Sequence, residues 1–353
     1  ACTVSSLEFL PILTPHLFKK YILTFFAFSV CLLHATEPVL SSLLPRGGQL
    51  GSKQEITING QRLTGAQEIF FYDEGITAGE LVVEKDRKLT TTFTISPDAK
   101  IGQHEVRIRT SKGISKLFTF WVGPFPNALE IEPNSSFGES QPIPMNTTVN
   151  GSSLNEDVDY YEINATQGQR ISAEVEAIRL SGPLFDPYVA ILDENRFELA
   201  TSDDSELLLQ DSTTSVIAPK TGKYFIEVRE SSYRGNASFR YRLHIGTFPR
   251  PLVVTPAGGE AGKAVEFTFL GDPKGTFTKS ITLPDDGSTF LPYHHEENGV
   301  RSPSPNKIRI SNFSALSEVE PNNSLSTATK TDLTIPLAFD GVIEKDGDID
   351  CFR

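Results

Sequence analysis

Hydrophobic and polar positions alternate in short runs along most of the chain. Glu55-Ile56-Thr57-Ile58-Asn59, His104-Glu105-Val106-Arg107-Ile108-Arg109 and Leu117-Phe118-Thr119-Phe120-Trp121-Val122 have the period of two expected of half-buried strands. The same pattern returns at Tyr160 to Asn164, Arg170 to Ile178, Tyr188 to Asp193, Tyr224 to Glu230 and Phe239 to Ile245. Gly, Asn and Asp punctuate these runs, and no window sustains a 3.6-residue period. Glu194-Asn195-Arg196 and Arg234-Gly235-Asn236 read as hairpin turns. The pattern therefore predicts an all-β chain.

Two interleaved repeats set the organisation. Pro45, Gly47, Gly48, Gly51, Glu55, Thr57 and Gly60 recur as Pro256, Gly258, Gly259, Gly262, Glu266, Thr268 and Gly271, at a constant offset of 211. Glu130-Ile131-Glu132-Pro133-Asn134, Gly151 and Asp157-Val158-Asp159-Tyr160-Tyr161 recur as Glu318-Val319-Glu320-Pro321-Asn322, Gly341 and Asp348-Ile349-Asp350-Cys351-Phe352. The paired glycines, Gly47-Gly48 and Gly258-Gly259, are expected to serve matching turns, needing positive φ or leaving no room for a Cβ. The predicted architecture is tandem β-sandwiches of two alternating kinds. Their expected limits are 36–128, 129–247, a shorter 248–316, and the start of a fourth module at 317–353.

Residues 1–35 have another character. Lys19-Lys20, the apolar run Tyr21 to Leu33 and the small Ala35 describe a secretory leader cleaved after Ala35, too short in its apolar part to span a bilayer. Because Met145 is the only methionine, residue 1 is not expected to be a natural start. The fourth module is likewise expected to continue past Arg353. Cys2 and Cys31 precede the expected cleavage point, leaving Cys351 alone and no disulfide in the mature chain.

The composition narrows the function. A net charge of −13 argues against nucleic acid, whose binding needs clustered Lys and Arg. It suits an exported protein and supplies carboxylates for hard cations. Glu130, Glu132 and Asn134 sit on an extended segment where alternate residues face one side, and Asp157 and Asp159 are paired just before a strand. Clustered carboxylates repel, and a cation relieves the repulsion. The other reading of these five residues is a domain cap and turns. Asp203-Asp204 reads as a solvated turn. His294-His295-Glu296-Glu297 lacks the helical His-Glu-x-x-His spacing of a zinc protease. No Gly-x-Ser-x-Gly elbow, phosphate loop or Cys-x-x-Cys pair is present. A serine nucleophile would have to draw on His104 or His244, both in strand patterns.

The run Pro45-Arg46-Gly47-Gly48, with Ile56-Thr57-Ile58-Asn59-Gly60 and Gly113-Ile114-Ser115, resembles the immunoglobulin-like IPT/TIG family over about 85 residues. Residues 129–247 resemble the bacterial pre-peptidase C-terminal (PPC) domain. The likeness rests on the Glu-x-Glu-Pro-Asn, Asp-Val-Asp-Tyr-Tyr, Gly168-Gln169, Phe185-Asp186-Pro187, Asp203-Asp204 and Gly222-Lys223-Tyr224 motifs. It implies a jelly roll of about eight strands. In collagenase relatives a similar acidic linker and Asp pair bind calcium. That implies calcium at Glu130, Glu132, Asn134, Asp157 and Asp159, and at Glu318, Glu320, Asn322, Asp348 and Asp350 of the second copy. The resulting expectation is a non-catalytic surface or secreted protein, binding an extracellular protein or polysaccharide. The alternative is the accessory region of a secreted hydrolase.

Overall fold

The computed structural model describes residues 37–353, the side chain of Glu206 excepted, so the expected leader lies outside the described residues. Among them there is no α-helix, only 3₁₀ turns at Ile178–Leu180 and Glu206–Leu208. The chain is all-β and forms tandem β-sandwiches, as its alternating pattern predicts.

The first sandwich packs two sheets. One runs in the order Val39–Leu44, Lys53–Gln61, Lys88–Ile95, Ile76–Ala78; the other runs Gly47–Gln49, Phe118–Gly123, Gly102–Thr110, Ala66–Phe71. Ile56, Ile58, Phe93, Val106, Ile108 and Phe120 point inward, and Phe93 meets Phe120 edge-on at 5.1 Å. Each such side chain contributes roughly 1.5–3 kcal/mol by leaving water. The module at 248–316 repeats this plan with two three-stranded sheets around Phe267, Phe269, Leu283 and Ile308.

Gly47-Gly48 and Gly258-Gly259 correct one expectation: they lie in strands, not turns. Each strand runs parallel to its neighbour, Gly47 opposite Trp121 and Gly258 opposite Arg309. A Cβ on Gly47 would overlap the Trp121 carbonyl oxygen, and one on Gly259 would come within 2.7 Å of Val265 Cγ2. Close backbone approach is thus the reason for these glycines. The turn belongs to Gly51 and Gly262, at φ 69° and 73°.

The second module, whose first strand opens at Asn127, two residues before the expected limit, has ten strands in two five-stranded sheets, two more than expected. The additional pair are short edge strands, Asn127–Leu129 and Gln141–Pro142, each pairing in parallel. Tyr161, Ile163, Val175, Val189, Tyr224 and Leu243 fill the space between the sheets. The Glu194 to Arg196 segment does join paired strands, Pro187–Asp193 and Glu198–Ser202. Arg234-Gly235-Asn236 does not: it carries the chain from one sheet, at Gly222–Glu230, to the other, at Arg240–Gly246.

Strand Arg170–Glu176 is buried on both faces. Its inward face packs in the core, and its polar face meets the neighbouring modules. Glu174 pairs with Arg250 at 3.0 Å and Arg170 with Asp272 at 2.9 Å, both of the third module, while Glu176 pairs within its own module with Arg242 at 2.5 Å. Just beyond it, the Leu180 carbonyl accepts from Arg46 of the first module, while Arg179 donates to Ser304 of the third at 2.8 Å. One turn of chain therefore holds both neighbours.

Candidate cation site

After strand Asn127–Leu129 the chain passes alongside the start of strand Val158–Ala165, anchored by Glu130 N–H to the Asn150 carbonyl at 3.1 Å and by Tyr160 N–H to the Asn134 carbonyl at 3.0 Å. This brings oxygens of Glu130, Glu132 and Asp159 within 4.8 Å of one another. Glu130 Oε1 accepts from the hydroxyls of Tyr161 (3.0 Å) and Tyr241 (2.8 Å), and Oε2 from Ser152 N–H at 2.9 Å. The Tyr241 hydroxyl also lies 2.6 Å from Asp159 Oδ2. The two phenolic protons thus face two carboxylate oxygens, Glu130 Oε1 and Asp159 Oδ2, and none is left for Asp159 Oδ1. No Lys or Arg in the described residues forms an ion pair with Glu130, Glu132 or Asp159.

Burial makes the shortage costly. Asp159 and Asn134 are both 0% exposed, and Asp159 Oδ1 and both polar side-chain atoms of Asn134 have no hydrogen-bond partner. Burial, reinforced by the Glu130 charge, pushes the Asp159 carboxyl up to about 9. Burial likewise raises Glu132, and holds Tyr161 and Tyr241 well above the usual phenol range. An unpartnered buried carboxylate oxygen costs several kcal/mol unless it is protonated or meets a cation. An all-oxygen set of carboxylates and an amide carbonyl matches a hard cation such as Ca²⁺, which takes six to eight oxygens, some of them water.

Of the five residues singled out in this copy, Asp157 takes another role. Its Oδ1 accepts from Ser135 Oγ at 2.9 Å and its Oδ2 from Leu154 N–H at 3.1 Å, so it closes the turn before the strand. The sequence reading also lacked Tyr161, Tyr241 and Ser152 as partners. Gly151 was visible only as a repeat position. A Cβ there would reach 2.8 Å from Glu130 Oε1 and overlap the Tyr241 ring, so glycine is required for the cluster to close.

The second copy repeats the local geometry. Glu318, Glu320 and Asp350 come together, Asn322 N–H bonds Glu320 at 2.9 Å, and Asn322 Nδ2 bonds Glu318 at 3.1 Å. Asp348 again turns away, accepting from Glu344 N–H at 2.8 Å. Phe352 stands where the first copy has Tyr161, so that hydroxyl is absent.

No family model matches the chain, and no curated protein does. Among solved structures, the pre-peptidase C-terminal domain of a Bacillus anthracis collagenase is similar at 20% identity, over 33% of this chain and 99% of that one, with a TM-score of 0.25. SGBP-B of a Bacteroides ovatus mixed-linkage glucan utilization locus, solved in complex with a mixed-linkage heptasaccharide, is similar at 10% identity, over 56% of this chain and 76% of that one, with a TM-score of 0.23. The Yersinia pseudotuberculosis adhesin InvE is similar at 12% identity, over 74% of each chain, with a TM-score of 0.20. The fold assignment rests on the strand pairings described above.

The remaining candidates are structural in their surroundings. His294 and His295 belong to no metal-competent cluster among the described residues. His294 bonds the Ser302 carbonyl at 2.9 Å, and His295 is buried against Phe269, Phe277 and Tyr293 with Nε2 on Asn306 at 3.0 Å. Asp203 and Asp204 are exposed, Asp203 accepting from Ser231. His104 is buried, with Nε2 on the Lys100 carbonyl at 2.7 Å. His244 stands between the Thr148 hydroxyl (2.8 Å) and Glu176 (3.2 Å), a hydroxyl–imidazole–carboxylate series. All three of those residues are buried, which denies a substrate access to the hydroxyl.

Proposed function

We propose that this chain is a non-catalytic binding or scaffold region of an exported bacterial protein, whose second module is fastened by calcium. The observation that supports calcium is the pair of buried orphans, Asp159 Oδ1 and the Asn134 amide, beside Glu130 and Glu132. Calcium there would be held by Asp159, Glu130, Glu132 and Asn134, joining the linker to the first long strand of the module. The linker also connects two modules, so the ion would limit their relative motion.

The test is calcium binding by the full chain, followed by calorimetry and terbium luminescence sensitised by the adjacent tyrosines. One site of roughly 10⁻⁴–10⁻³ M affinity is expected in this module, lost in an Asp159→Ala, Glu132→Ala double variant whose circular dichroism matches the parent. Binding of equal strength in that variant would place calcium elsewhere and leave the cluster as a cap.

A further inference from the structure

A cleft runs along the junction of the first and second modules. It comprises two adjoining cavities of about 610 and 540 Å³, which share Leu44, Arg46 and Arg240 as a common wall. Volumes of this size are those of small-ligand sites. Two cavities that share a wall offer room for successive rings of a linear chain.

The charge in the cleft is unlike that elsewhere in the junctions. Four arginines in the module junctions have carboxylate partners: Arg170 with Asp272, Arg179 with Asp211, Arg242 with Glu176 and Arg250 with Glu174. Arg46 is only 8% exposed and has none among the described residues; it bonds Thr119 Oγ1 and the Leu180 carbonyl, and its Nε is unpartnered. Arg240, half-buried on the same wall, forms no ion pair among the described residues either. Burial and the nearby Arg242 pull the Arg46 guanidinium down to about 10, the direction expected where a counter-anion is wanting. Arg46 and Arg240 line both cavities, the one carboxylate in the lining, Glu55, pairs with neither, and in a chain of net charge −13 this marks the cleft as a place for an anion.

The rest of the lining selects the kind of anion. Gln54, Asn127 and Asn150 line one cavity, and Ser41, Ser42 and Asn59 the other. Amides and hydroxyls both donate and accept, which matches the hydroxyl groups of sugar rings. Leu44, Leu129, Phe118 and Leu180 add apolar surface on which the C–H faces of sugar rings can lie, and an acidic peptide is separated from a sugar by tetraglutamate in the test below. We propose that the cleft binds an acidic oligosaccharide, with a uronate carboxylate held by Arg240 at the rim and Arg46 behind it, and ring hydroxyls held by the amides. The cleft adjoins the cation cluster, since Gly151 and Tyr241 line its first cavity, but Arg46 and Arg240 touch none of the cluster's carboxylates.

The experiment is isothermal titration of the full chain, in EDTA, with tetragalacturonate, a neutral tetrasaccharide and tetraglutamate. Tetragalacturonate should bind and the other two should bind at least tenfold more weakly. Arg240→Ala should weaken it at least tenfold, and raised salt should weaken it further. Arg46 also holds the module junction, so Arg46→Lys, checked for an unchanged melting curve, serves as the second variant and should weaken binding in the same sense. No binding of tetragalacturonate at 10 mM, about the weakest useful affinity for such a ligand, would overturn the assignment. So would full affinity in Arg240→Ala, or equal or tighter binding of tetraglutamate.

Discussion

Replacing Asp159 by Asn should make the metal-free protein more stable and the calcium-bound protein no better off. The side chain keeps its shape, and its oxygen still accepts from Tyr241, now at 2.6 Å from Asp159 Oδ2. What disappears is a carboxyl, fully buried, whose second oxygen has no partner. With a folded value near 9 against an ordinary 3.8, the native state holds a proton that the unfolded chain has released at neutral pH. A raised acid contributes its full stability below the unfolded value. That contribution falls as pH rises toward the folded one, by as much as about 4 kcal/mol at pH 7. Relaxation and water entry reduce this, so a gain of about 1–3 kcal/mol is expected on substitution. For a body of this size each kcal/mol moves the melting temperature by about 2–4 °C. Calcium should stabilise the parent by about 2.7 kcal/mol at a hundredfold excess over its dissociation constant, and the variant by nothing measurable. Scanning fluorimetry in EDTA at pH 5, 7 and 9, and again in about 10 mM calcium, reads all of this. In EDTA the variant should lead, with the gap widening as pH rises, and calcium should close the gap. A variant that melts lower in EDTA, or that gains as much from calcium as the parent, would refute the reasoning.

Three further outcomes follow from other contacts. Gly151→Val should abolish the calcium-induced rise in melting temperature while leaving the strands intact by circular dichroism, because its side chain would enter the space of Tyr241 and Glu130. Burial holds the His295 imidazole down near 4, so its stability contribution is whole above about 6.5 and is lost as pH falls through 4; His295→Gln should flatten that slope, up to roughly 3 kcal/mol, in denaturant titrations between pH 7 and 4. Arg179→Ala strands the buried Asp211 and releases Ser304, so it should cost roughly 3–5 kcal/mol. Calorimetry should then show the third module melting apart from the second, and an unchanged single transition would show that Arg179 does not couple them.

Alternation made the sandwiches legible, because Ile56, Ile58, Val106 and Ile108 face one way on strands with one wet side. It misled at Arg170–Glu176, where Arg170, Ser172, Glu174 and Glu176 read as a solvent face and are buried in a seam. Water and a polar interface ask for the same side chains, so periodicity cannot separate them. Spacing found Glu130, Glu132 and Asp159 but could not separate Asp157 from Asp159, two residues apart and facing one way only if both are in the strand. Strand pairing begins at Val158, and Asp157, one residue earlier, is free to cap its own turn. The rings of Tyr161 and Tyr241 lie in the core; that their hydroxyls converge on Glu130 follows from a contact between residues 80 apart in sequence.

The short turn Ile178–Leu180 also bears on how such a chain grows over evolutionary time. It grips Arg46 on one side and offers Arg179 to Ser304 on the other. A jelly roll copied alone beside another jelly roll would present these groups to a surface without the matching Arg46 or Ser304. It would also leave the buried Glu174 and Arg170 without Arg250 and Asp272 of the third module. An immunoglobulin-like module copied alone would meet the same fault from the other side. The piece that can be duplicated without leaving such a wound is the adjacent pair, and the alternating order of the two repeats along this sequence is the record such a duplication leaves.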